Sequence, residues 1–135
     1  MGKTSFDSIE TSDIHLMISA VRKGVGFDFF MDIVEEGPFS LHEWSEFLHL
    51  SGRTIQRYRK EKRRFDALQS ERILQLAIIY KKGLSVFGNK QKFDAWLVSE
   101  NIALGGVKPK SLLDNIFGIS LLEEELTRIE QGILA

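Results

Sequence analysis

Apolar positions along this chain recur three and four residues apart, the spacing that lines one face of a helix. Ile14, Met17, Ile18 and Val21 follow Ser12-Asp13, which supplies a cap, and Gly24 and Gly26 end the segment. A second helix is expected from Phe27 to Glu36, stopped by Gly37-Pro38. Ser40 caps a third, with Glu43 placed for a capping box and Leu41, Trp44, Phe47 and Leu48 on its apolar face. After the break Leu50-Ser51-Gly52, Ser51 caps a fourth helix running to about Lys62, with Ile55 and Tyr58 turned inward. Phe65 to Leu68 reads as a connector.

Ser70 then opens a long helix, Glu71 to Val86, carrying Ile73, Leu74, Leu76, Ala77 and Tyr80. Gly88-Asn89 is a turn before a helix from Lys90 to Glu100 that packs Phe93, Trp96 and Leu97. Asn101 to Pro109, with Gly105-Gly106, is a structured loop. Ser111 caps a short helix ended by Gly118. Ser120 opens the last one, with Glu123 at its capping-box position, and Gly132 stops it. No strand and no repeat emerges. The fold class expected is all-α, with domains 1–66 and 67–135.

Composition narrows the function classes. The 135 residues are 43% hydrophobic and 27% charged, ordinary globular values that exclude disordered and collagen-like classes. The absence of Cys removes disulfides, thiolate zinc sites, iron–sulfur clusters and thiol nucleophiles, and favours a cytoplasmic setting. The longest apolar stretch, Ile73 to Tyr80, is broken by Gln75 and falls far short of the ~20 residues of a membrane span. The segment MGKTSFDSIE lacks the basic-then-apolar order of a secretory signal.

Net charge is −1, but its distribution is uneven. The segment RTIQRYRKEKRR, residues 53–64, holds seven basic residues and one acidic, so the rest of the chain sums to −7. A compact basic element on an acidic body is the footprint of an anionic polymer partner. A short helix, a tight turn and an Arg-rich second helix also form the sequence pattern of a helix-turn-helix. In that motif the second helix enters the major groove N-terminal end first. Here that end offers Ser51, Arg53, Thr54, Gln56 and Arg57. Arg reads guanine and Gln reads adenine by paired hydrogen bonds. Arg59, Lys60, Lys62, Arg63 and Arg64 are expected to meet phosphates.

Other constellations are weaker. His42, Glu46 and His49 are spaced i, i+4, i+7, yet Leu41, Trp44 and Leu48 take the inward side, so no metal is expected there. Trp44 and Trp96 read as core. Glu123, Glu124 and Glu125 point in different directions on a helix and do not converge as catalytic carboxylates. Arg128 and Glu130 are not an i,i+4 pair. Gly24-Val25-Gly26 lacks the rest of a phosphate-binding fingerprint. No enzyme activity and no cofactor is expected.

The C-terminal half carries VFGN, Ala95-Trp96-Leu97, ALGG at 103–106, Lys108-Pro109 and then LLDNIFGISLLEEELTRIEQGILA at 112–135. This ordered series resembles the toxin-binding domain of Xre/MbcA/ParS-type antitoxins. The helix pair ending SGRTIQRYRK resembles the Xre-like helix-turn-helix of the same proteins, so the resemblance spans roughly residues 20 to 135. It departs from the family at Gln131, often aromatic or His there, and at Lys110-Ser111.

The resemblance implies an N-terminal helix-turn-helix bundle packed with a smaller helical toxin-binding domain. It implies an antitoxin of a type II toxin–antitoxin pair, whose usual partner is a RES-type, NAD-consuming toxin. The N-terminal domain would bind operator DNA and repress its own operon. The C-terminal segment would occupy or block the toxin's active site. Carried onto this chain, the toxin-facing positions are Leu122, Leu126, Arg128, Ile129, Glu130, Gly132, Ile133, Leu134 and Ala135, with Gly105, Gly106 and Pro109 shaping a supporting loop. A homodimer within a larger toxin–antitoxin complex is expected. The alternative is a stand-alone dimeric helix-turn-helix regulator, since such proteins commonly bind two half-sites.

Overall fold

The computed structural model describes residues 13–132. Ser12 and the tail Ile133, Leu134 and Ala135 lie outside them. Among the described residues the chain is all-α: α1 (Ile14–Lys23), α2 (Phe27–Glu36), α3 (Leu41–Leu48), α4 (Gly52–Glu61), α5 (Ala67–Phe87), α6 (Lys90–Leu97) and α7 (Ile116–Glu130). Two short 3-10 turns, Ile102–Leu104 and Pro109–Leu112, lie between α6 and α7. No described helix is long and apolar enough to cross a membrane.

Local chemistry sets most of the helix starts. Asp13, Ser40, Ser51, Asn89 and Asn115 each accept a backbone N–H of the helix they precede, which satisfies a donor the helix leaves open. At α3 the capping box is complete: the Glu43 amide donates to Ser40 Oγ at 3.1 Å, and the Ser40 amide donates to Glu43 Oε1 at 2.9 Å.

Two starts differ from those expected. α5 begins at Ala67, and the reciprocal pair Asp66–Gln69 caps it: the Gln69 amide donates to Asp66 Oδ1 at 2.8 Å, and the Asp66 amide to Gln69 Oε1 at 3.1 Å. Ser70 is not a cap; it is fully buried. At the other end, Gly118 does not end a helix and Ser120 does not open one. α7 begins at Ile116, so both lie within it. Gly118 is there for space, since a Cβ would stand 1.9 Å from the Leu112 carbonyl oxygen. Ser111, expected as a cap, instead donates its hydroxyl to the Lys108 carbonyl at 2.7 Å.

Internal contacts divide the chain into two compact units, Met1–Ile78 and Ile79–Ala135. The division lies inside α5, whereas the sequence pattern places a boundary near residues 65–68.

The first unit is built on aromatic side chains. Phe30 is fully buried, with its ring centroid 5.4 Å from Trp44 and 4.9 Å from Phe65, both edge-on. Phe39 meets Phe47 edge-on at 5.0 Å. Ile55 and Tyr58 bury the inner face of α4. The unit closes through polar contacts around Gly24-Val25. The Phe65 amide donates to the Val25 carbonyl at 2.9 Å, and the Val25 amide donates to Ser70 Oγ at 2.8 Å.

In the second unit Phe93 is fully buried, with ring centroids of Tyr80, Phe87 and Trp96 within 5.6–6.0 Å. Gly83 admits that ring, which would stand 2.1 Å from a Cβ. Trp96 is half-buried rather than core, at the edge of this cluster. Leu97, Leu104, Leu113, Ile119, Leu122 and Leu126 complete the core. The 101–107 loop closes on Asn101, whose amide donates to the Val107 carbonyl at 3.0 Å and whose carbonyl accepts the Gly106 amide at 2.8 Å.

Candidate functional site

The first candidate is the α3–turn–α4 segment. α3 is closed by its C-cap His49, which takes a left-handed conformation (φ 57°), and the Leu50 amide donates back to the Ser45 carbonyl at 3.0 Å. The chain therefore reverses within three residues, and Ser51 starts α4. Ser51 Oγ accepts the Thr54 amide at 3.0 Å and donates to Thr54 Oγ1 at 2.9 Å. The hydroxyl groups of Ser51 and Thr54 are thus paired with each other at the cap.

With Ile55 and Tyr58 buried, helical spacing sends Arg53, Gln56, Arg57 and Lys60 to the opposite side, and all four are exposed. They form one row along the outer face of α4. Arg53, Gln56 and Arg57 carry the groups that read base edges, and Lys60 extends the row as a cation.

The other basic residues are held differently. Arg59 lies at the flank, its guanidinium 5.9 Å from the Phe27 ring centroid and 3.8 Å from Met31 Sδ. The Arg63 guanidinium sits 4.7 Å over the Tyr58 ring. Lys62 closes α4 in a left-handed conformation (φ 53°) and is exposed. Arg64 also makes a contact within the unit. Its Nη1 donates to the Gly24 carbonyl at 2.7 Å, at the C-terminal end of α1, where the helix leaves an acceptor and a partial negative charge. That one bond ties the end of α4 to the end of α1.

His42 Nε2 stands 3.6 Å from Glu46 Oε2, with both side chains exposed, while His49 lies past the end of α3. Among the described residues no group of three or more His, Cys, Asp or Glu gathers as metal ligands would.

The second candidate is the end of the second unit. Leu122 and Leu126, two of the toxin-facing positions the resemblance implies, are fully buried in the chain by itself and hold α7 onto its own unit. Arg128 is exposed but tied to Glu125 by Nε at 3.1 Å and Nη2 at 3.0 Å, an i,i+3 pair. Ile129 is half-buried; Glu130 and Gly132 are exposed. Lys82 Nζ donates to Thr127 Oγ1, joining the end of α5 to α7. A shallow open groove lies beside this contact, lined by Lys82, Glu123, Glu124, Thr127 and Arg128. On α6, Lys90 donates to Asp94 at 2.7 Å, and that hydrogen bond raises the lysine above its ordinary pKa.

The outward residues missed from the pattern are apolar. Phe117 is 84% exposed, Ile116 44% and Leu121 37%, all on α7. Their signal in the sequence was Asn115 as a cap, which starts the helix early enough to put Phe117 and Leu121 one turn apart on its outer side.

Two family profiles cover this arrangement. Residues 16–77 match the antitoxin Xre-like helix-turn-helix domain, and residues 82–132 match the antitoxin Xre/MbcA/ParS C-terminal toxin-binding domain. The chain belongs to the Xre/MbcA/ParS-type antitoxins. The two matches leave only 78–81 between them, around the division of the compact units. The first match contains α2 to α4 whole, and the second contains α6 and α7 whole. Neither is a family of enzymes, and the toxin-binding domain implies a cognate toxin as partner. Comparison with curated proteins gives no match.

Proposed function

We propose that this antitoxin works at both ends of its chain in a type II toxin–antitoxin pair. The second unit binds and neutralises a cognate toxin, of the RES type that consumes NAD. The first unit binds operator DNA through α4 and represses the operon that encodes both proteins. Catalysis belongs to the partner, and the pair works in the cytoplasm.

The observation that carries the DNA half is the row Arg53, Gln56, Arg57 and Lys60 on the outer face of a capped second helix. The row is exposed, with the Arg57 guanidinium 5.9 Å from the Tyr58 ring centroid, and its chemistry fits base edges and phosphates. Dimerisation has a feature in its support as well. α1 has no buried residue, and Ile14 and Ile18, one turn apart, are exposed at 60% and 39%. A second copy packing on this side would bring two α4 helices to one operator, as two half-sites require.

The test is co-expression of the full chain with the product of the adjacent gene, followed by the mass of the purified complex and its binding to the operon's promoter. A stable complex that binds that promoter, formed by a partner that is toxic alone, is the expected result. A chain that co-purifies with no neighbouring gene product overturns the antitoxin reading.

A further inference from the structure

The buried face of α7 is complete without the helix's outer side. Ile119, Leu122 and Leu126 are at most 3% exposed, and Gly118 lies directly on the Leu112 backbone. The opposite side holds Phe117 and Leu121, then Glu124 and Arg128, at spacings of four, three and four residues. These positions form one stripe, apolar in its first half and charged in its second. Single exposed leucines are common on any protein, but a nearly bare Phe one turn from an exposed Leu is a patch in search of a cover.

We infer that this Phe117–Leu121 stripe is the toxin's docking surface, with Phe117 as the anchor; the inference rests on the antitoxin reading above. Three observations support the occupant. The stripe lies inside residues 82–132, the segment matching the toxin-binding domain. Its backbone is prearranged: Asn115 Oδ1 accepts the Gly118 amide at 2.9 Å, and Gly118 packs so closely on the Leu112 carbonyl that a Cβ would stand 1.9 Å from its oxygen. Its surroundings are acidic, with Glu123 and Glu124 exposed and Arg128 turned to Glu125. The complement is an apolar pocket rimmed by basic side chains, the arrangement of a binding hot spot with a charged border. The toxin surface is therefore expected to offer an aromatic-sized pocket flanked by Lys or Arg. The contact differs from the one the resemblance suggested, which begins at Leu122 and runs to the tail.

The experiment compares wild type, Phe117→Asp and Phe117→Ser as full chains, each titrated against the purified product of the adjacent gene. Each free chain is also measured for mass and thermal unfolding. Because Phe117 is exposed, both variants are expected to melt with wild type and keep its mass. They are expected to bind the toxin at least about 30-fold more weakly, the size of loss typical of a hot spot. Glu123→Lys/Glu124→Lys should bind less well too, chiefly through a slower association that salt conceals. Variants that bind as wild type does overturn the inference and leave the antitoxin reading intact. A variant that changes only the mass of the free chain assigns the stripe to a second copy instead, and also overturns it. A wild-type chain that binds no such partner removes the antitoxin reading, and the inference falls with it.

Discussion

The hydroxyl of Ser70 accepts the backbone N–H of Val25 at 2.8 Å, across 45 residues of sequence, while donating to the Phe65 carbonyl at 3.3 Å. Ser70 is fully buried and Val25 nearly so. One side chain thus satisfies the turn after α1 and the entry into α5. Ser70→Ala removes the acceptor and leaves a buried amide unpaired. It should cost about 1–3 kcal/mol, read as a lower urea midpoint for loss of helical signal. An unchanged midpoint would mean that another acceptor or a water takes over the Val25 amide.

Arg57 is exposed in the outer row of α4, with its guanidinium only loosely near the Tyr58 ring at 5.9 Å. Arg57→Ala should weaken binding to the operator by roughly 1–3 kcal/mol and leave binding to unrelated DNA nearly unchanged. Titrations on both DNAs at one salt concentration decide it. Equal affinity on the operator would show that α4 does not read bases in this register.

Lys62 stands at the end of the same helix without a place in the outer row of Arg53, Gln56, Arg57 and Lys60. Lys62→Gln should weaken all DNA alike and reduce the salt slope of binding by about one unit. Arg64→Gln is the contrasting case. It deletes the bond to the Gly24 carbonyl, so stability should fall by about 1–2 kcal/mol while the salt slope stays at the wild-type value. A flatter slope for Arg64→Gln would return that residue to the phosphate contacts.

Gly118 sits inside α7 against the Leu112 carbonyl oxygen, with 1.9 Å left for any Cβ. In an open helix Gly→Ala stabilises, because Ala is the better helix former. Here the sign reverses. Gly118→Ala should destabilise by about 1–3 kcal/mol through forced displacement, with toxin binding lost in proportion if the stripe moves. A higher melting temperature would show that the turn before α7 yields without cost.

Ile14 and Ile18 leave one side of α1 apolar and exposed. Ile18→Glu should lower the mass of the free protein in sedimentation to that of one chain and weaken operator binding in parallel. A wild-type chain that already sediments as a monomer would argue against a dimer formed there.

Local signals were sufficient wherever one residue does one job beside its own helix. Ser40 with Glu43, Ser51, Gly37-Pro38 and the Ile55–Tyr58 inner face of α4 act within a turn or two, so spacing alone places them. The whole helix-turn-helix and its basic row follow from such signals. α7 did not follow, because Gly118 and Ser120 look like a stop and a start when read locally.

What the sequence by itself determined is the all-α class, the cap-and-turn geometry of α3 and α4 and the concentration of positive charge on α4. These depend on helical periodicity, hydrogen bonds to near neighbours and net charge, none of which needs a partner element. Only the tertiary structure decided which polar groups reach across the chain and which apolar residues face out. It took Arg64 for the Gly24 carbonyl, Ser70 for the Val25 amide and Gly118 for the Leu112 backbone. It also buried Leu122 and Leu126 and left Phe117 bare. A residue's burial depends on what packs against it, and that neighbour can lie far away in sequence.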